Sequence, residues 1–191
     1  LYKKRNKIEK KFFQNKKIKK NVLRKFFFDI NSQESLDYIN KLNPKVIISF
    51  GVGLISKIFL KKFSKKIILN LHGGNPQYYR GLDSHLWSIY HNDFNNLVTT
   101  LHKVDKKFDT GDILFLEKIP FNKKINFLNI RIFNTQICIK LVNRLVLTLK
   151  NKKKLKYKKQ YLKGRYYSAM PSVLIDKCQK NFERWVRIKK Q

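Results

Sequence analysis

The chain has little cysteine, little acid and no long apolar run. Its two cysteines, Cys138 and Cys178, lack the spacing of metal ligands, which excludes a cysteine-based metal site and a disulfide framework. We expect them to be buried free thiols of a reducing, cytoplasmic compartment. No apolar run of about 18 residues is present, so no membrane span is expected. No signal-peptide pattern is recognised either.

The shortage of acid is extreme, because 12 acidic residues face 44 basic ones and the formal net charge is +32. A surface of this kind attracts nucleic acid, anionic lipid or a phosphorylated substrate. The competing interpretation is compositional drift, which we favour because lysine far outnumbers arginine, whereas dedicated phosphate recognition uses arginine forks. Nucleic-acid binding therefore stays open as a partner class but is not favoured.

Hydrophobic residues make up 42% of the chain, enough for a folded core. We expect a basic, mostly solvated segment at 1–25, a folded domain at 26–150, and a basic connection with a tail packing on that domain at 151–191. Periodicity predicts strands and helices in alternation. The expected strands cover 26–28, 46–50, 67–70, 97–104 and 113–119, and the expected helices cover 35–42, 54–63, 83–90, 129–150 and a short stretch around 182–188.

The stretch 70–112 concentrates the groups best suited to chemistry. It holds all four histidines and four of the seven glycines. Asn70 and His72 stand two apart at the carboxyl end of an expected strand, so both point to one side of it. The turn 109–111 brings the carboxylate of Asp109 back toward the same edge. Taken singly, each of these residues has an ordinary structural interpretation; taken together, in this order, they predict a site.

Three motifs in this stretch carry a resemblance to a known family. They are Asn70-Leu71-His72, Tyr79-Arg80-Gly81 and Asp109-Thr110-Gly111. In this order and at these intervals, they resemble the N10-formyltetrahydrofolate-dependent formyltransferases, which include glycinamide ribonucleotide, methionyl-tRNA and nucleotide-sugar enzymes. The resemblance is good over roughly residues 35–121. It implies an α/β, Rossmann-like fold with a mostly parallel central sheet flanked by helices. The family's first β-α-β part has no clear counterpart here.

The resemblance also implies roles for individual residues. The expected catalytic residues are Asn70, His72 and Asp109. The glycine-containing loop after the strand at 46–50 is expected to form a wall of the folate site, so the expected cofactor-binding residues are Val52, Gly53, Leu54, Ile55, Asp105 and Asp109. The expected substrate-binding residues are Tyr79, Arg80, Gly81 and His102. No metal is expected.

The implied reaction transfers a formyl group from N10-formyltetrahydrofolate, the co-substrate, to a primary amine. We favour the amine of a nucleotide-linked amino sugar used in surface polysaccharide synthesis, because the tail is too short for a separate tRNA-binding domain. Methionyl-tRNA or another amine stays open as the acceptor. A hydrolase that releases formate and a non-catalytic, basic nucleic-acid binder on a decayed fold also stay open, as does a homodimer.

Overall fold

The computed structural model describes residues 1–14, 22–122 and 124–190. Helices and strands alternate through the middle of the chain. The helices are α1 (Tyr2–Phe13), α2 (Gln33–Leu42), α3 (Lys57–Lys62), α4 (Ser84–Tyr90), α5 (Ile130–Lys150) and α6 (Ile175–Ile188). The strands are β1 (Val46–Phe50), β2 (Ile67–His72), β3 (Tyr79–Gly81), β4 (Val98–Lys103), β5 (Ile113–Lys118) and β6 (Arg165–Tyr167).

The central sheet has four strands in the order β1-β2-β4-β5. Strand β1 pairs with β2 in parallel, whereas the β2–β4 and β4–β5 pairs are antiparallel. The expected α/β fold is confirmed, but the expectation of a mostly parallel sheet is wrong for the described strands. The short link between β4 and β5 accounts for one of the two antiparallel pairs, because a turn of this length joins antiparallel neighbours, while parallel neighbours need a longer crossover.

Serine caps set the start of the two helices that flank β1. Ser32 accepts a hydrogen bond from the backbone N–H of Ser35 at 3.2 Å, and Ser56 accepts one from Phe59 at 3.1 Å. The second cap makes α3 begin at Lys57, three residues later than expected. Residues 51–56 are therefore a loop, which leaves the carboxyl end of β1 open toward the site described below.

The hydrophobic core has two parts. The larger part lies around α5, whose buried side chains face the sheet and α6; it includes Leu69, Leu101, Leu141, Leu145 and Phe182, each at most 1% exposed. A smaller cluster beneath α2 and α3 consists of Leu36, Ile55, Phe59 and Phe63. Of the described helices, α5 is long and apolar enough to cross a membrane by length and composition, but a core helix passes the same test and its buried face lies in this core.

The N-terminal segment contains a helix that the sequence analysis did not assign. Residues 2–13 form α1, and Arg5 in this helix is only 2% exposed, with its Nη2 donating to the carbonyl oxygen of Phe127 at 3.0 Å. The lysine-rich composition hid this packed face, since lysines occupy the opposite, solvated side of the helix.

The expected strand at 26–28 is not formed, because these residues pair with no described strand; residues 15–21 lie outside the described ranges.

The tail is attached through a second, two-stranded sheet. Strand β6 pairs in parallel with β3, with Arg80 opposite Tyr166 and Gly81 opposite Tyr167. The Tyr167 ring stacks on Trp87 with 4.8 Å between ring centroids. Helix α6 then packs on α4. Strand β6, which is remote in sequence, thus pairs directly with the strand formed by the Tyr-Arg-Gly motif.

Gly164→Ala is expected to destabilise this attachment. A Cβ at position 164 would lie 2.5 Å from the carbonyl oxygen of Pro76 and 2.7 Å from the backbone nitrogen of Tyr78, and neither backbone atom can move aside easily. We expect the free energy of unfolding, measured by urea denaturation, to fall by about 1–3 kcal/mol. Gly53→Ala is the matched control, because nothing lies within 4 Å of its added Cβ. Equal stability of the two variants would contradict the described packing of the tail.

Candidate active site

A cavity of about 430 Å³ lies where β1, β2 and β4 end. Its volume is in the range of roughly 300–1,000 Å³ that small-molecule sites occupy. Loops and the three helices α1, α4 and α5 also line it. The lining includes Asn70, His72, Gly81, His102 and Asp109 from the central stretch.

Asp109 is the centre of the polar network in this cavity. Its Oδ1 lies 3.3 Å from Nε2 of His102 and 3.5 Å from Nδ1 of His72, and it accepts a hydrogen bond from Nδ2 of Asn70 at 3.3 Å. Its Oδ2 accepts the backbone N–H of Gly81 at 2.8 Å. The residue itself has φ +54°, a left-handed conformation that aspartate adopts more readily than most residues.

The surroundings keep the Asp109 carboxyl group ionised. Burial alone raises its pKa, but the hydrogen bond from His102, the electrostatic interaction with His72 and the N–H of Gly81 together lower the pKa to about 2. The anion is therefore present at every pH at which the protein is expected to work. A buried carboxylate with several donors is a fixed negative charge around which neighbouring side chains are oriented.

His72 is the last residue of β2 and is 6% exposed. Its Nε2 lies 2.8 Å from the carbonyl oxygen of Tyr79, which can only accept, so Nε2 carries the proton. Burial lowers the pKa of His72, and Asp109 opposes that shift without cancelling it. The ring is thus neutral, with the lone pair of Nδ1 directed toward Asp109.

Asn70 is held in one orientation by a residue that the sequence did not single out. Ser49, at the end of β1, donates its hydroxyl to Oδ1 of Asn70 at 2.8 Å. This contact directs the amide nitrogen to the other side, where it is 3.3 Å from Asp109 and 3.4 Å from Nε2 of His102. Both are long contacts, so the two N–H groups of the amide are only weakly engaged.

Arg80 of the Tyr-Arg-Gly motif stabilises the site through hydrogen bonds outside the cavity. Arg80 is 7% exposed; its Nη2 donates to Oε1 of Gln160 at 3.3 Å. Gln160 in turn donates through Nε2 to the carbonyl oxygens of Asp109 at 3.0 Å and Gly111 at 2.7 Å. Arg80 and the tail therefore fix the turn that carries Asp109.

Two of the residues expected to bind substrate do not line the cavity. These are Tyr79 and Arg80, because β3 pairs with β6 and the two side chains are buried in internal contacts, such as Tyr79 to Asp93 at 3.0 Å. The geometry corrects the expected substrate contact of these side chains to a supporting position. Gly81 and His102 do line the cavity, and substrate binding by them stays a prediction.

The loop after β1 faces the cavity as well. The residues Val52, Gly53, Leu54 and Ile55 all line it, together with Asp105. Val52 and Leu54 are 43% and 48% exposed, which leaves apolar surface available to a ligand. Residues that sequence reasoning missed also line it, namely Arg5, Ser49, Asp83, Ser84, His85, Arg131 and Tyr166. For Arg5 the only signal was an arginine among lysines, and it had no motif around it.

His85 is a buried neutral base at the cavity wall. Its Nε2 donates to the carbonyl oxygen of Val98 at 2.6 Å, and burial lowers its pKa to about 4.

Although histidines and a carboxylate meet in this region, no group of His, Cys, Asp and Glu within 1–14, 22–122 and 124–190 has the arrangement of a metal site.

Comparison with known proteins agrees with this geometry. A family model described as formyl transferase matches residues 1–126. The chain belongs to the formyl transferase family. The expectation drawn from the three motifs is thereby confirmed. The match includes the whole stretch from the loop after β1 to the turn at Asp109.

Two curated relatives differ in their acceptors. Over 98 residues, the chain is 36% identical to methionyl-tRNA formyltransferase of Finegoldia magna, which covers 51% of this chain and 31% of the relative. Over 90 residues, it is 37% identical to GDP-perosamine N-formyltransferase of Brucella melitensis, covering 47% and 34%. The chain thus spans about a third of the length of these relatives.

A solved structure shows the same fold. The formyltransferase PseJ from Anoxybacillus kamchatkensis, solved with UDP-4,6-dideoxy-4-formamido-L-AltNAc and tetrahydrofolate, superimposes with a TM-score of 0.56. The match covers 86% of this chain and 81% of that chain at 20% identity. The fold of this formyl transferase is therefore the Rossmann-like one that the motifs implied.

The buried histidines make stability depend on pH in a defined direction. The pKa of His85 is about 4 in the folded chain and about 6.5 when unfolded, so the unfolded chain binds the extra proton between these values. The free energy of unfolding should therefore fall by about 3 kcal/mol as the pH drops from 6.5 to 4. His72 adds a shift of the same sign.

Urea denaturation across this window measures the effect. His85→Gln cannot titrate, so its stability should depend on pH less steeply than that of the wild type. His91→Gln replaces an exposed histidine and is the matched control. A slope in His85→Gln as steep as in the control would show that His85 is not the buried neutral base described.

Proposed function

We propose that this formyl transferase moves a formyl group from N10-formyltetrahydrofolate to a primary amine. The observation that carries the proposal is the convergence of Asn70, His72 and Asp109 on one cavity. An amide donor, a neutral imidazole and a fixed carboxylate are the groups that acyl transfer to an amine needs. Membership of the family supports the same reaction.

In the proposed mechanism, the amine nitrogen attacks the formyl carbon and a tetrahedral intermediate with an oxyanion forms. The oxyanion needs donors that are already in position where the charge develops. The amide nitrogen of Asn70 supplies them, because Ser49 fixes its orientation and its own contacts are long. A neutral amide does not titrate, so this donor is available at any working pH.

The attacking amine must lose a proton, and His72 is placed to receive it. Its Nδ1 carries no proton, because Nε2–H is donated to Tyr79. Once protonated, the ring would carry a positive charge 3.5 Å from Oδ1 of Asp109, which stabilises it. The proton then goes to N10 of the folate as the C–N bond breaks, so that formylated amine and tetrahydrofolate leave with no net change in protons.

The proposed folate site is the wall formed by 52–55, with Asp105 beside it. The flat pterin ring would cover the exposed apolar surface of Val52 and Leu54. The carboxylates of Asp105 and Asp109 are suited to accept hydrogen bonds from the amino and ring N–H groups of a pterin. This arrangement would place the formyl group next to Asn70.

We propose a nucleotide-linked amino sugar as the acceptor. The relative from Brucella melitensis, whose name specifies GDP-perosamine, supports this class. The relative from Finegoldia magna, whose name specifies methionyl-tRNA, supports a second candidate, with which the net charge of +32 is compatible. The two candidates differ in size and charge and are separated by direct assay.

The assay mixes the chain with N10-formyltetrahydrofolate and a panel of acceptors that includes nucleotide-linked 3-amino and 4-amino sugars and methionyl-tRNA. Tetrahydrofolate release and the mass of the acceptor are followed together. A gain of one formyl group identifies both the reaction and the acceptor. Release of formate with no formylated amine would indicate a hydrolase, and absence of folate binding would reject the proposed function.

His72→Gln should lower turnover about 100- to 10,000-fold, because the acceptor of the amine proton is lost. Its dissociation constant for tetrahydrofolate should change less than about threefold, since the proposed folate wall is formed by other residues. His91→Gln serves as the control with the same chemical change at an exposed position. Turnover in His72→Gln equal to that of the control would reject the assigned role.

Ser49→Ala should lower turnover roughly fivefold to tenfold without raising KM for either substrate. The lost hydrogen bond to Asn70 is worth about 1 kcal/mol, and it acts on the orientation of the oxyanion donor rather than on ground-state binding. Ser49→Thr keeps the hydroxyl and should restore most of the activity. A matching loss in the threonine variant would mean that packing, and not the hydroxyl, matters at this position.

A further inference from the structure

Arg5 is the buried charge that the proposed mechanism leaves unused. It lies on α1, lines the cavity and is 2% exposed. Its Nη2 donates to the carbonyl oxygen of Phe127, and its guanidinium lies 4.9 Å from the centre of the Phe127 ring. Its Nε, however, is buried without a hydrogen-bond partner in the described part of the chain.

The guanidinium of Arg5 also lacks a counter-ion. Within residues 1–14, 22–122 and 124–190, the ion pairs that form include Arg131 with Glu9 at 2.9 Å but none with Arg5. The nearby carboxylate of Asp83 instead accepts hydrogen bonds from Tyr2 and from the backbone N–H of Met170. A buried cation with a free donor is costly unless an anion completes it, so this site has the properties of an empty anion-binding position.

The position of Arg5 separates it from the proposed folate wall. Its electrostatic neighbours are Asp83, His85 and Arg131, which belong to α4, its cap and α5. The folate wall at 52–55 belongs to the loop after β1, whereas Arg5 faces groups of α4, its cap and α5. Arg5 therefore belongs to the part of the cavity that is left for the acceptor.

We propose that Arg5 binds a phosphate oxyanion of the acceptor and thereby positions its amine. This inference deepens the proposed function and rests on it for the identity of the acceptor. The guanidinium of Arg131 also lines the cavity, but it is paired with Glu9, so the charge of Arg5 is the one left for a ligand. Arginine forks suit a phosphate because two parallel N–H groups meet two oxygens, which a lysine cannot reproduce.

Direct binding tests the proposal without turnover. Calorimetry on the full 191-residue chain would use uridine diphosphate, pyrophosphate and tetrahydrofolate as separate probes at a fixed, moderate salt concentration. Arg5→Gln should weaken uridine diphosphate binding at least about 30-fold, the scale for truncating one partner of a buried charge pair. Arg144→Gln removes the same charge from an exposed position on α5 and should leave binding unchanged.

The possible results separate this proposal from the proposed function. Equal weakening of diphosphate binding in Arg5→Gln and Arg144→Gln would indicate nonspecific attraction to the basic surface and would overturn the Arg5 proposal. The proposal would also be overturned if the wild-type chain bound neither uridine diphosphate nor pyrophosphate. If Arg5→Gln weakens tetrahydrofolate instead, the glutamate carboxylate of the folate is the anion and the acceptor assignment falls. Loss of folate binding in the wild type, with Arg5-dependent diphosphate binding intact, would reject formyl transfer but keep the anion site.

A structure of the wild-type chain with uridine diphosphate decides the matter even if Arg5→Gln does not fold. We expect a phosphate oxygen within about 3 Å of Nε of Arg5, the ordinary distance of a charge-assisted hydrogen bond. Arg5→Lys provides a milder variant that keeps the charge and loses the fork, and its affinity should fall between those of the wild type and Arg5→Gln. A diphosphate bound away from Arg5 would overturn the proposal.

Discussion

The site depends on one buried carboxylate. Asp109 holds a strand-end histidine, a strand-end amide and a backbone N–H through its two oxygens, so its charge fixes the relative positions of β2, β3 and β4 at one edge of the sheet. Burial opposes ionisation, yet the contacts outweigh burial. An ionised, oriented group of this kind requires every neighbour to be in place, which explains why the motifs occur together and at definite intervals.

The carboxylate is in turn positioned by a part of the chain far away in sequence. Gln160 holds the carbonyl oxygens on both sides of the turn, and Arg80 holds Gln160. The pairing of β6 with β3 anchors this segment. The Tyr-Arg-Gly motif therefore has a structural reason to be linked to Asp-Thr-Gly: its glycine N–H binds the carboxylate directly, while its arginine supports the turn through the tail.

Local patterns in the sequence predicted the parts of the molecule that local forces decide. The apolar runs of β1 and β2 and the helical spacing of α5 are of this kind, because burial on one face follows from periodicity. The parallel pairing of β6 with β3 could not be predicted, since it joins segments 86 residues apart whose own sequences carry no strong strand signal. The expected strand at 26–28 was wrong for the same reason, because an apolar triplet makes a strand only where a partner is available.

Among the candidate site residues, those marked by a local sequence pattern were again predictable, and those defined by contacts with distant residues were not. Asn70 and His72 were recognisable as polar groups at the end of an apolar strand, and Asp109 as part of a turn between two strands. They meet because β4 pairs with β2 and the turn after β4 brings Asp109 beside Asn70. Ser49 and Gln160 act through ordinary hydrogen bonds, and serine and glutamine are too common to mark a site. Arg5 was hidden for a different reason: it belongs to a helix whose lysines make the segment look uniformly solvated.

The contrast between Arg5 and the lysines separates two kinds of positive charge in this chain. The lysines of α1 are exposed, so water and salt screen them and their large number adds mainly a diffuse attraction for anions. The guanidinium of Arg5 is desolvated and incompletely paired, so a single oxyanion placed beside it gains far more than one placed beside a surface lysine. A formal charge of +32 therefore says little about where an anionic substrate would bind, whereas one buried arginine marks a definite position.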